Sequence, residues 1–293
     1  RLFNLKFGEK NKVSNILLFF SFTSFYMVGV VTISQSLFNA KVGVSFLPFM
    51  FMFLAAGIAL STMFFYSLKV KNVRKFYSLL FFVFFIIHFG LFFLLQLAVS
   101  KILVVIFYLA IQTVSSMLFT LIWLILQEVN DVESSKRIFP LASAGITLGF
   151  IVSGLFLKYF IPIFSLKYTF LLLILILPID VFIFNNLLRK HKKIDSVISE
   201  TKIGFLNSAQ YIADNKFYIV VLFMGLLLPL IFFINDYLYN LTAKRIFIDE
   251  ENISAFFGFF YIVNGFISLF IRLFIVSRAI IKFGAVKVTY FLI

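Results

Sequence analysis

The stretch QEVNDVESSKRIFPLASAGITLGF (Gln127–Phe150) sets seven charged or amide side chains within eleven residues and follows them with a run of small ones. Its surroundings decide how it reads. The 293-residue chain is 62% hydrophobic and only 13% charged, with a mean hydropathy of +1.09. Soluble domains carry about 25% charged residues, so this chain has about half the usual polar covering. Apolar runs near the twenty residues that span a bilayer recur along it. The fold class expected is an all-α polytopic membrane protein, with the quoted stretch as a cytoplasmic loop running into a packing helix.

Eight complete spans are predicted, at about Ser14–Phe38, Leu47–Leu68, Tyr77–Val99, Ile102–Leu126, Ile138–Ile161, Tyr168–Leu188, Phe217–Tyr239 and Ile253–Ser277. A ninth begins near Ala285 and is cut short. Nineteen of the 26 Lys and Arg fall before the first span or in the even-to-odd loops, six in the opposite loops, and Arg272 lies inside span eight. Basic residues mark cytoplasmic loops, so the N-terminus is expected in the cytoplasm. The net charge of +14 is then a topology signal, and no nucleic-acid partner is expected.

The longest polar segment divides the chain. Residues 1–13 read as a cytoplasmic lead-in, 14–188 as a six-helix bundle, 189–216 as a cytoplasmic linker with an interfacial helix, and 217–293 as the truncated start of a second bundle. A short repeat supports the division. Ser34–Asn39 (SQSLFN) ends span one and Asn235–Asn240 (NDYLYN) ends span seven, with Leu and Asn in register and aromatics matched at Phe38 and Tyr239. Same-direction repeats related by an axis along the membrane normal build major-facilitator transporters. The expectation is therefore a six-helix N-terminal half plus two to three helices of a second half.

Within the quoted stretch, Gly145, Gly149 and Gly154 with Ala142, Ser143, Ala144 and Ser153 make a small-residue face for close helix packing. The order Trp123, Asn130-Asp131, Lys136-Arg137-Ile138-Phe139-Pro140-Leu141, then Ala144-Gly145 and Gly149 resembles the signature of the ATP/ADP carrier family. These are nucleotide transporters of plastids and obligate intracellular bacteria, with broader bacterial relatives, of major-facilitator type. The lead-in RLFNLKFGEKNKV, the segment Asn39–Pro48, and the stretches Gly204–Leu222 and Asp236–Tyr261 are similar to corresponding parts of that family. The resemblance implies nucleotide transport by ATP/ADP exchange across a bacterial or organellar inner membrane, with Asp131, Lys136 and Arg137 in the family-motif loop. Family members carry a basic–acidic pair near the outer end of helix one, where this chain has Ser34 and Gln35.

Polar groups at membrane depth are functional candidates by default. Gln35, Asn39, Asp180, Asn235, Asp236, Asn264 and Arg272 are the candidates for lining a solute path. Gln35 and Asn39 are expected to face Asn235 and Asp236 at an outer gate. Asp180 is expected deeper, beside a kink at Pro178, and Arg272 on the cytoplasmic side guiding anions. His88, alone in span three, reads as a hydrogen-bonded packing residue. The chain has no Cys and lacks G-x-x-x-x-G-K-[ST], H-E-x-x-H and G-x-S-x-G. No enzymatic activity, cofactor or metal is expected. The expected partners are the bilayer and a small solute, with a fused soluble domain conceivable after residue 293. Two alternatives stand beside a nucleotide carrier: the same fold with proton coupling to another solute, and a scaffold that has lost transport.

Overall fold

A computed structural model describes residues 9–67, 73–97, 100–130, 132–190, 211, 213–271 and 275. Among them the chain is helical and has no strand. The helices are α1 (Glu9–Lys41), α2 (Leu47–Ser67), α3 (Val73–Leu97), α4 (Lys101–Val129), α5 (Val132–Ile174), α6 (Leu177–Lys190), α7 (Lys216–Ile246) and α8 (Glu250–Phe270), with one 3-10 turn at Val44–Phe46. Seven stretches are long and apolar enough to cross a membrane. The interfacial helix expected within 189–216, the residues Asp131 and Arg272, and the span near Ala285 fall outside the described residues.

One of the seven stretches, Leu141–Leu187, has 47 residues, about twice what a bilayer needs. Its contacts with α1 show that it doubles back. Gly145 lies against Leu17 and Phe20, and Gly149 against Ser21 and Ser24. Ser165 lines a cleft with Leu37 and Lys41. Leu173 then returns to Gly29, and the rings of Phe184 and Phe19 meet at 5.9 Å. The two predicted spans are thus two antiparallel legs, joined where Ser165 takes φ 59°, ψ 165°, a backbone region almost reserved for Gly. Pro162, three residues earlier, has no N–H to continue the ladder.

The second leg breaks again at Leu175–Ile176. Pro178 cannot donate to the Ile174 carbonyl, so Ile176 N bonds to Leu173 O at 3.0 Å and Asp180 N restarts the ladder on Ile176 O at 3.0 Å. The expected kink is therefore a short non-helical joint before Pro178, and Asp180 stands in the first turn of α6.

The predicted loop Glu128–Arg137 is a correction. Helix α4 runs to Val129, Asn130 is its C-cap, and α5 already starts at Val132. Lys136, Arg137 and Pro140 are therefore helical, and Pro140 is not in a first turn. Asn130 Nδ2 donates to Leu126 O at 2.8 Å, and Lys12 Nζ donates to Val129 O at 2.6 Å. The α4 carboxyl end is closed by an amide and a cation, the charge its dipole favours. The lead-in is likewise shorter than expected, because α1 is helical from Glu9.

Aromatic pairs give the direction of the other helices. Phe81 of α3 meets Phe19 and His88 meets Tyr26, so α3 runs parallel to α1. Tyr108 of α4 meets Phe38 and Trp123 meets Phe20, so α4 runs antiparallel. The basic residues Lys41 and Lys167 gather at one end with Glu250 and Glu251; Lys12 and Val129 mark the other. Gly145 and Gly149 pack on α1, where a Cβ at Gly149 would come within 2.5 Å of the Ser21 carbonyl. Helix α2 instead rests on α4, with Gly57 facing Thr113.

Candidate functional site

The repeat segments meet. Gln35 Nε2 donates to both carboxylate oxygens of Asp236 at 3.1 Å. One turn further, Asn39 Nδ2 donates to Asn240 Oδ1. Asn240 Nδ2 in turn donates to the Asp236 carbonyl at 2.7 Å and to its Oδ1 at 3.2 Å. Both pairs are separated by 201 residues, so Gln35 and Asn39 each contact their register-mate in the other segment. Helices α1 and α7 must run in the same direction for two successive turns to pair this way.

Asn39 and Asn240 are fully buried and Gln35 nearly so. The burial has a cost that pairing offsets. The carboxylate of Asp236 accepts from two amides, Gln35 Nε2 of α1 and Asn240 Nδ2 of its own helix, while Asn39 Oδ1 is left without a partner.

Helical period sorts the remaining candidates. Asp236 and Asn240, four residues apart, share the face towards α1. Asn235 lies about 100° away and is exposed, so the expected Gln35–Asn235 side of the gate does not form. Its place is taken by Asn240, which the repeat alignment already matched to Asn39. Asn264 is also exposed on α8, where Ser268 Oγ approaches its Oδ1 at 3.4 Å. Neither lines a path between helices here.

Beside the polar bridge, Lys41 of α1 pairs with Glu250 of α8 at 3.2 Å. The cleft there, about 190 Å³, is lined by Lys41, Ser165, Lys167, Glu250 and Glu251. Ligand sites run from about 300 to 1,000 Å³, so this cleft is too small to hold a nucleotide. Below it, α5 and α8 touch backbone to backbone where Gly154 and Gly258 face one another, and Gly265 seats on Ile151. A Cβ at Gly258 would come within 2.8 Å of the Gly154 carbonyl. The α7–α8 pair is thus held to the first six helices by a polar bridge, an ion pair and a glycine contact.

Asp180 is elsewhere, enclosed among α1, α3 and α6 with 0% exposure and both oxygens unpartnered. Tyr26 faces it and Thr23 lies beside it. The Thr23 proton is already given to Phe19 O at 2.8 Å. His88 is fully buried, with Nδ1 bonded to Phe84 O at 2.7 Å and Nε2 without a partner. The expectation of a hydrogen-bonded packing histidine therefore covers only one of its two nitrogens. No protein-family model, no curated protein and no solved structure matches the chain.

Proposed function

We propose that this chain is the membrane part of a secondary transporter of major-facilitator type, working by alternating access between its first six helices and the unit that begins with α7. The observation that carries the reading is the polar bridge of Gln35, Asn39, Asp236 and Asn240. Buried amide and carboxylate groups between two parallel helices in an apolar setting are costly to keep unless they do something, and this bridge can open by exchanging partners for solute or water. The Lys41–Glu250 pair lies at the same end and would open with it. With Lys12 at the opposite, basic-rich end in the cytoplasm, the bridge is an outer gate and the chain stands closed to the outside.

The solute proposed is a nucleotide or related anionic metabolite, on the resemblance of Trp123 to Gly149 and its flanks to the ATP/ADP carriers. A bacterial or organellar inner membrane is proposed as the location on the same ground. The test uses the full-length chain in liposomes carrying Gln35→Cys and Asp236→Cys. The 293 residues contain no Cys, and the same oxidation of the protein without the two substitutions is the control. Uptake of labelled ATP, ADP and a panel of smaller anions should stop on oxidation and return on reduction. Uptake that continues in the crosslinked protein would remove the gate, and no uptake of any panel member would remove the anion-carrier reading.

A further inference from the structure

We infer that Asp180, Tyr26 and His88 form a proton-binding site inside the first six helices, taking up and releasing one proton as the bundle closes and opens. The geometry points to it through four polar atoms that have no partner: both Asp180 oxygens, Tyr26 OH and His88 Nε2. All three residues are fully buried. They come from three helices, α1, α3 and α6, so no single turn explains their coincidence.

The titratable groups that face Asp180 are Tyr26 from α1 and, against the Tyr26 ring at 5.7 Å, His88 from α3. Phe170 of α5 and Phe107 of α4 form the apolar wall behind His88. No Lys or Arg is buried among the described residues. An ionised carboxylate here would have no cation among the described residues and only the neighbouring Tyr26 and Thr23 hydroxyls beside it, a state that costs more than a neutral acid. The closed bundle therefore suits the acid form.

The same site is built to let the proton go. Asp180 sits in the first turn of α6, directly after the break at Leu175–Ile176, and a helix N-terminus stabilises a negative charge. His88 holds its Nδ1 proton on Phe84 O, which leaves Nε2 as a lone-pair acceptor. The step is a simple transfer. The Asp180 O–H bond breaks, the proton passes to water admitted on opening, and the electron pair stays on the carboxylate. Broken helices that end inside a bundle are where backbone groups become available to ions in transporters.

This inference rests on the transporter reading for its use but not for its test. The full-length protein in lipid is followed by infrared difference spectroscopy across a pH titration. A protonated-carboxyl band is expected at neutral pH in the natural sequence and in His88→Gln, and absent from Asp180→Asn, whose neutral amide resembles the acid form and keeps the fold. Raising the pH should remove the band reversibly, with a midpoint displaced by about one pH unit or more in Tyr26→Phe and in His88→Gln. Three results would overturn the site: no band that Asp180→Asn removes, a band unmoved by alkali, or a midpoint that shifts when sodium replaces choline, which would make it a metal-cation site. Absence of solute uptake with the band intact would count against the transporter and leave the proton site standing.

Discussion

Helices α1 and α7 run in the same direction and end in matching sequence, yet their surroundings differ. The apolar window of α1 is 61% buried and that of α7 is 0% buried, although α7 has the higher mean hydropathy, 2.8 against 2.1. Apolarity alone does not draw helices together in a bilayer, where lipid tails solvate Leu as well as Leu does. Among the described residues, what α1 presents to its neighbours is a small and polar surface. Ser21 Oγ reaches Gly145 O at 3.0 Å, and Gly29 admits Leu173. The one glycine of α7, Gly225, meets nothing within 4 Å. Among the described residues, α7 is drawn inward at Phe233, which meets Phe51 at 4.7 Å, and over its last turns, from Asp236 to Ala243.

That contrast can be broken at its strongest point. Gly149→Leu would drive a side chain into the Ser21 carbonyl and the Ser24 Cβ, at a cost of about 3 kcal/mol. Gly225→Leu, at the open position, should change stability by no more than about 0.5 kcal/mol. Thermal denaturation of the two variants in the same detergent compares them directly, and equal losses would mean that close packing does not separate α1 from α7.

The polar bridge comes next. Asp236→Ala strands the donors of Gln35 and Asn240 in a buried place and should cost about 2 kcal/mol. It should also make a cysteine at Asn39 reactive to an impermeant thiol reagent. Unchanged reactivity would show that the end of α7 stays on α1 without the bridge.

A gain is expected at the hairpin between the two legs of α5. Ser165→Gly keeps the turn and relieves a backbone conformation that side chains avoid, raising stability by about 1 kcal/mol. A loss there would mean that the Ser165 side chain matters more than its φ.

The smallest effect is at the start of α8. Asp249 caps it by accepting from Asn252 N at 2.8 Å and from its amide at 2.7 Å, and these bonds hold its carboxyl below the usual range. A depressed carboxyl contributes stability above its unfolded value, about 3.9, and that contribution fades as pH falls through the folded value. Asp249→Ala should cost about 0.5 kcal/mol at pH 7 and nothing near pH 2, as read by denaturation at both pH values.

The helices were legible in the sequence because length and apolarity decide them, and the alternation of direction followed from the basic loops. The hairpin of the fifth and sixth spans was legible too, and so was a kink at Pro178, though not its place at Leu175–Ile176. Charge misled at Glu128–Arg137, where a polar run with good helix formers extends two helices instead of separating them. At the polar bridge, Gln35, Asn39 and Asp236 were legible from the repeat, while Asn240 follows from the four-residue period that puts it on the face of Asp236. Nothing in the sequence could bring Tyr26, His88 and Asp180 together, since three helices separated by long stretches of chain supply them.

The pairing of register-mates 201 residues apart bears on how such a gate could arise. Two identical side chains facing each other across a rotation axis must serve as donor and acceptor to themselves. An asparagine pair can do this; here one such bond forms, from Asn39 Nδ2 to Asn240 Oδ1. Two carboxylates repel, so Asp236 could not have met a copy of itself in a symmetric dimer of single halves without a shared proton. Once both halves lie on one chain, position 35 is free to become Gln while position 236 stays acidic. If the two segments are copies of one another, the Gln35–Asp236 contact is available to a fused duplicate and closed to a symmetric homodimer.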